Sequence, residues 1–95
     1  MKFVAVIEYV ADAELVGRIR PEHRQYCATL KEQGKLVASG PFTDKPGALI
    51  IYEAESLEAA DALLKADPFQ IAGVFRDWTL RPWTVANANR DLFPA

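Results

Sequence analysis

The sequence predicts an α+β fold of order β-α-β-β-α-β, with two helices laid on one face of a four-stranded antiparallel sheet. Three observations predict it. Four short segments are rich in β-branched and aromatic residues, the composition of strands. Two longer segments of helix formers, each with its own start and stop signals, separate the first strand from the second and the third from the fourth. The chain has 95 residues, of which 51% are apolar, enough for one small core and no more.

The elements follow in order. Phe3 to Val10 is apolar on both parities, as expected of a central strand covered on both faces. Residues 12–20 read as a connection with room for one helical turn, because Pro21 is suited to the first position of a helix. That helix runs to about Gln33, and Gly34 ends it. Residues 35–39 form a second strand, closed by Gly40-Pro41. A turn at Asp44-Lys45-Pro46-Gly47 leads into a third strand over residues 48–54, again apolar on both parities. Ser56 is a good N-cap for a helix from Leu57 to about Ala66, and Asp67-Pro68 stops it and opens one further turn. Residues 77–85 alternate as a fourth strand, and 84–95 form a polar tail on a single domain spanning 1–95. This order is the ferredoxin-like split unit.

Composition excludes several function classes. A net charge of −2 leaves no basic footprint for nucleic acid. No apolar run reaches the roughly 18 residues of a membrane span. Glu8, Asp12 and Glu14 lie where a secretory signal would need small residues for cleavage, so the cytoplasm is expected. Cys27 is the one cysteine, which precludes an internal disulfide. With one histidine, no cysteine pair and no carboxylate–His spacing on a helix face, no metal is expected. Helices on one face leave the other apolar face of the sheet to be buried, and a second copy of the chain is the economical cover, giving a homodimer.

Two polar residues stand where apolar ones belong. His23 lies three, four and seven residues before Tyr26, Cys27 and Leu30, on the inward stripe of the first helix. Asp67 lies seven, four and three residues after Ala60, Leu63 and Leu64, on the inward stripe of the second if that helix persists so far. The first helix starts, and the second ends, at the same edge of the sheet, beside Ser39-Gly40-Pro41-Phe42. An imidazole oriented by a carboxylate is a general base that returns the proton as an acid. Each residue alone has a blander reading, His23 as a core residue and Asp67 as an N-cap; their convergence favours the pair. Around it, Ser39, Gly40, Pro41 and Arg20 are candidate substrate contacts, with Phe42, Phe69 and Trp78 as aromatic walls for a small aromatic substrate.

The segments R-P-E-H-R-Q-Y (20–26), G-K-L-V-A-S-G-P-F (34–42), S-L-E-A-A-D-A-L (56–63), A-D-P-F-Q-I-A-G (66–73) and L-R-P-W (80–83) resemble the YCII-related family in order and spacing. The resemblance covers residues 1 to about 83. It implies a dimeric α+β barrel, a catalytic His–Asp pair at His23 and Asp67, and a shared Gly-Pro at Gly40 and Pro41. It also implies an activity of the dehydrochlorinase type, a lyase reaction removing HCl from a chlorinated hydroxyhydroquinone without a cofactor. The alternative expectation is a non-enzymatic dimeric module that binds a small molecule or a partner protein and performs no chemistry.

Overall fold

A computed structural model describes residues 1–94. The elements run β1 (Lys2–Tyr9), α1 (Ala13–Glu32), β2 (Leu36–Pro41), β3 (Gly47–Glu53), α2 (Leu57–Lys65), α3 (Pro68–Ile71) and β4 (Phe75–Trp83), followed by a 3-10 turn at Arg90–Leu92. The sheet has the order β2-β3-β1-β4, and every pair is antiparallel. This is the ferredoxin-like α+β arrangement that the sequence predicts. The expected tail, 84–95, is exposed through its described part, and Ala95 lies outside the described residues.

The register sorts the central strands into two faces. Phe3, Ala5 and Ile7 of β1 stand opposite Tyr52, Ile50 and Ala48 of β3, and all six are buried under the helices. Leu30 of α1, Ala60 and Leu64 of α2, and Phe69 of α3 complete that core. Val4 and Val6, opposite Ile51 and Leu49, point to the other face. Burial of the helix-facing side chains is the main stabilising term, worth roughly 1.5–3 kcal/mol for each fully buried large apolar side chain.

One boundary differs from expectation in a way that matters. The first helix starts at Ala13, not at Pro21. The Asp12 carboxylate accepts a hydrogen bond from the Leu15 N–H at 3.1 Å and so caps the helix two turns earlier. Pro21 then sits inside the helix, where it leaves the Gly17 carbonyl without its partner. Gly17 is exposed, so water can satisfy that carbonyl. At the other end Gly34 takes a φ of +73°, which stops the helix as expected. Where β2 turns into β3, Gly47 is required: a side chain there would run into the carbonyl oxygen of Ile7. No helix among the described residues is long and apolar enough to cross a membrane.

Candidate active site

Asp67 is placed by the break between two helices. α2 ends at Lys65, and Pro68 disfavours a helical conformation at the residue before it. Asp67 accordingly takes φ −63°, ψ 131° and caps α3, accepting the Phe69 N–H at 2.9 Å. Its carboxylate is turned beneath α1, where its two oxygens lie 2.8 and 2.9 Å from His23 Nδ1. The two blander readings of Asp67 and His23 are thus both accommodated, since the same carboxylate serves as an N-cap and as the imidazole's partner. Asp67 is 0% exposed, and an unpaired carboxylate so placed would be costly. An ionised carboxylate only accepts, so Nδ1–H donates to it and Nε2 remains the basic nitrogen of His23.

The Asp67 carboxylate holds the Nδ1 edge of the imidazole, and an aromatic ring holds one of its faces. Phe69 stacks on it with ring centroids 4.1 Å apart and planes 12° from parallel. Tyr9 meets Phe69 edge-on at 5.2 Å. The Tyr26 hydroxyl donates to the Leu63 carbonyl at 2.6 Å and ties α1 to α2 next to the pair. Fixing the ring in this way preserves the proton-transfer geometry without reorganisation.

Cys27 lies one turn from His23, with Sγ 3.7 Å from Nε2 and 3.9 Å from Nδ1. Near-equal distances place the sulfur away from the lone-pair direction of either nitrogen. Burial, with the Asp67 charge adding to it, pushes the thiol up to about 12, while a Ser39 hydrogen bond pulls the other way. The thiol is therefore protonated near neutral pH and is not an activated nucleophile. His23, Cys27 and Asp67 do bring three donor atoms within 4.8 Å of one another, a cluster that sequence spacing missed because Asp67 comes from a different element. The geometry does not suit a resident metal, because Nδ1 is committed to the carboxylate and the sulfur is off axis.

A cavity of about 330 Å³ opens beside His23. Of the residues expected there, Arg20, Ser39, Gly40, Pro41 and Phe69 line it. Phe42 and Trp78 do not, and these are corrections. Phe42 follows the last residue of β2 and faces an adjoining groove of about 590 Å³ with Val16 and Pro46. Trp78 sits opposite Ile7 on β4, the edge farthest from β2, and packs near Phe75 instead. Alternation along a strand gives the face a residue occupies but not its distance across the sheet.

Five lining residues escaped the sequence reading, the apolar Ala48 and Ile50 and three with polar side-chain atoms, Tyr9, Arg24 and Cys27. Their signals existed. Tyr9 shares the parity of Phe3, Ala5 and Ile7. Arg20, His23, Arg24 and Cys27 are spaced as one helical stripe, i, i+3, i+4, i+7. Starting the helix at Pro21 left Arg20 outside it and hid the stripe.

Comparison with known proteins agrees with this architecture. The family model for the YCII-related domain matches residues 1–84. The protein YciI of Escherichia coli O6:H1 is 36% identical over 75 residues, covering 68% of this chain and 76% of YciI. The uncharacterised protein YjpA of Bacillus subtilis is 32% identical over 63 residues, covering 62% of this chain and 74% of YjpA. Among solved structures, the 5-chloro-2-hydroxyhydroquinone dehydrochlorinase TftG of Burkholderia phenoliruptrix AC1100, in complex with 2,5-dihydroxybenzoquinone, superposes with a TM-score of 0.78. At 24% identity, over 88% of this chain and 94% of that one, the likeness is one of fold. With the family model matched over nearly its whole length, this chain belongs to the YCII-related domain family.

Proposed function

We propose that the cavity beside His23 is the active site of a cofactor-independent enzyme that performs acid–base chemistry on a small aromatic molecule. One observation carries this reading: a fully buried carboxylate orients an imidazole whose second nitrogen is left for a ligand in an adjoining cavity. A purely structural histidine needs no cavity beside it. The likeness of fold to a dehydrochlorinase bound to a dihydroxyquinone suggests the reaction class, a lyase eliminating HCl from a chlorinated hydroxyhydroquinone.

The reaction balances without an external electron acceptor. His23 Nε2 takes a phenolic proton and returns it to the chlorine-bearing ring carbon. His23 Nε2, unprotonated again, takes a second hydroxyl proton and passes it to solvent, and chloride is expelled. The carbon–chlorine bonding pair leaves with chloride, and the ring is left as a hydroxyquinone. Asp67 stabilises His23 while it carries the proton, and His23, as the positioned acid–base group, contributes about 10²–10⁴ in rate. Ser39 and Arg20 are within the cavity to hold hydroxyl groups.

We also propose that the open face of the sheet pairs with a second copy. Val6 and Trp83 on that face are 44% and 43% exposed in the single chain, and they border a shallow groove of about 490 Å³ with Val4, Leu49 and Ile51. Size-exclusion chromatography with light scattering tests this directly, and a monomer at micromolar concentration would reject it.

For the chemistry, chloride release from 5-chloro-2-hydroxyhydroquinone is the assay. His23→Gln is expected to lower turnover by about 10² or more while circular dichroism stays native. Ligand binding by the wild type without any product would instead support a binding module. Near-normal turnover in His23→Gln would rule the acid–base mechanism out.

A further inference from the structure

The cavity beside His23 carries charge of one sign. Arg20 and Arg24 are one helical turn apart on α1, and both line it, with His23 between them in sequence. Among the described residues no carboxylate side chain lines it; Asp67 is wholly buried and committed to His23 and the Phe69 N–H. Among the described residues neither arginine has an ion-pair partner within 4.0 Å. Arg18, two residues before Arg20, differs on both counts: it lies 4.0 Å from Glu14 and does not line the cavity. The chain as a whole is acidic, with a net charge of −2, so this local excess is not the by-product of a basic protein.

A third donor joins them. Tyr9, the last residue of β1, lines this cavity and the adjoining groove. Its ring is fixed edge-on to Phe69 at 5.2 Å and stacked near Phe75 at 5.9 Å. Among the described residues its hydroxyl has no hydrogen-bond partner. Burial, reinforced by the Asp67 charge, raises the phenol to about 12, while the nearby Arg20 charge acts in the opposite sense. Tyr9 is thus a donor held at the same cavity as the two guanidinium groups.

We propose that this cavity is an oxyanion site that takes a planar organic acid in its ionised form, a phenolate or a carboxylate. Arg20 and Arg24 hold the charged oxygen, Tyr9 donates to it or its neighbour, and His23 Nε2 addresses the atom that exchanges a proton. The role of His23 rests on the reading above; the anion binding does not. Guanidinium groups at the mouth of a cavity attract such a ligand from solution and give it a fixed orientation through charge-assisted hydrogen bonds. A ligand already ionised is also the electron-rich form in which ring chemistry is easiest.

Isothermal titration calorimetry tests the assignment. The phenolate arm compares 2,5-dihydroxybenzoquinone, anionic at neutral pH, with neutral hydroquinone. The carboxylate arm compares benzoate with benzyl alcohol. At least one anion is expected to bind about tenfold or more tightly than its neutral counterpart, with affinity falling as salt rises. Arg20→Gln and Arg24→Gln are each expected to weaken that anion about tenfold, and Tyr9→Phe by a few-fold. Arg18→Gln makes the same change in net charge outside the cavity and should leave the affinity within about twofold. Anion affinity unchanged by both cavity arginine substitutions, equal weakening by Arg18→Gln, or no anion binding at millimolar concentration would overturn the proposal. His23→Gln separates this site from the chemistry. Arginine-dependent binding with turnover independent of His23 would remove the acid–base reading and keep the oxyanion site. Turnover dependent on His23 with arginine-independent binding would do the reverse.

Discussion

The two faces of the sheet are built from alternate residues of the same strands, yet they have different fates. Phe3, Ile7, Ile50 and Tyr52 are each 1% exposed or less beneath the helices. Their immediate neighbours Val4, Val6, Leu49 and Ile51 are just as apolar but face a shallow open groove. The covered face is also where polar chemistry is admitted, because there a carboxylate can be surrounded and paired. Apolar composition therefore states that a face is to be buried, while the partner that buries it decides whether the face becomes a core or an interface. The helices came with the chain. On the proposed reading the other cover is a second copy.

That difference can be broken first by truncating adjacent residues of β3. Ile50→Ala on the covered face should destabilise by about 2–5 kcal/mol, through lost transfer energy and a cavity. Ile51→Ala on the open face should cost about 1 kcal/mol or less if the folded unit is a single chain. Urea unfolding of both variants reads this. If a second copy seals the open face, the Ile51→Ala penalty should approach that of Ile50→Ala, and the midpoints should shift with protein concentration.

The second test uses pH and concerns only the covered face. The Cys27 thiol is raised from its ordinary 9.0 to about 12, and burial raises Tyr26 in the same direction. A group whose folded-state pKa is raised binds its proton more tightly when folded. Its contribution is complete below pH 9 and is lost as pH climbs toward 12. Urea midpoints should therefore fall between these values, and the fall should be shallower, though not abolished, in Cys27→Ala. The same burial predicts slow alkylation of Cys27 by iodoacetamide at neutral pH in the native protein and fast alkylation in urea. Equal rates in both conditions would contradict the placement of the thiol.

The smallest effect sharpens the comparison from within. The Tyr52 hydroxyl is buried on the helix-covered face and has no hydrogen-bond partner among the described residues. Tyr52→Phe removes an unsatisfied group and keeps the ring, so stability should be unchanged or rise by about 1 kcal/mol. A loss of more than about 1 kcal/mol in thermal unfolding would show that this hydroxyl is satisfied in solution.

Much of this was legible in residues. The element order, the stop at Gly34, the cap at Ser56 and the parity of the central strands all rest on local preference, and all four stand in the structure. Two inward polar residues far apart in sequence pointed to one site, and they meet at 2.8 Å, although Asp67 lies in the break between α2 and α3 and not on the second helix itself. The start of the first helix was not legible from Pro21. Its position inside the helix is tolerated because the cap at Asp12 and an exposed Gly17 offset the defect. That single misplacement left Arg20 off the helix and so hid its one-turn spacing from Arg24.

By itself the sequence determined the order of helices and strands and which side of each element turns inward, because those follow from periods of 3.6 and 2 and from capping groups. Only the tertiary structure decided distance across the sheet. It put Trp78 on the edge opposite β2, moved Phe42 into the neighbouring groove and gathered Tyr9 and Arg24 around His23. The physical reason is that a cavity forms where packed elements fail to fill space. That residue of volume belongs to their relative placement and is encoded at no single position in the chain.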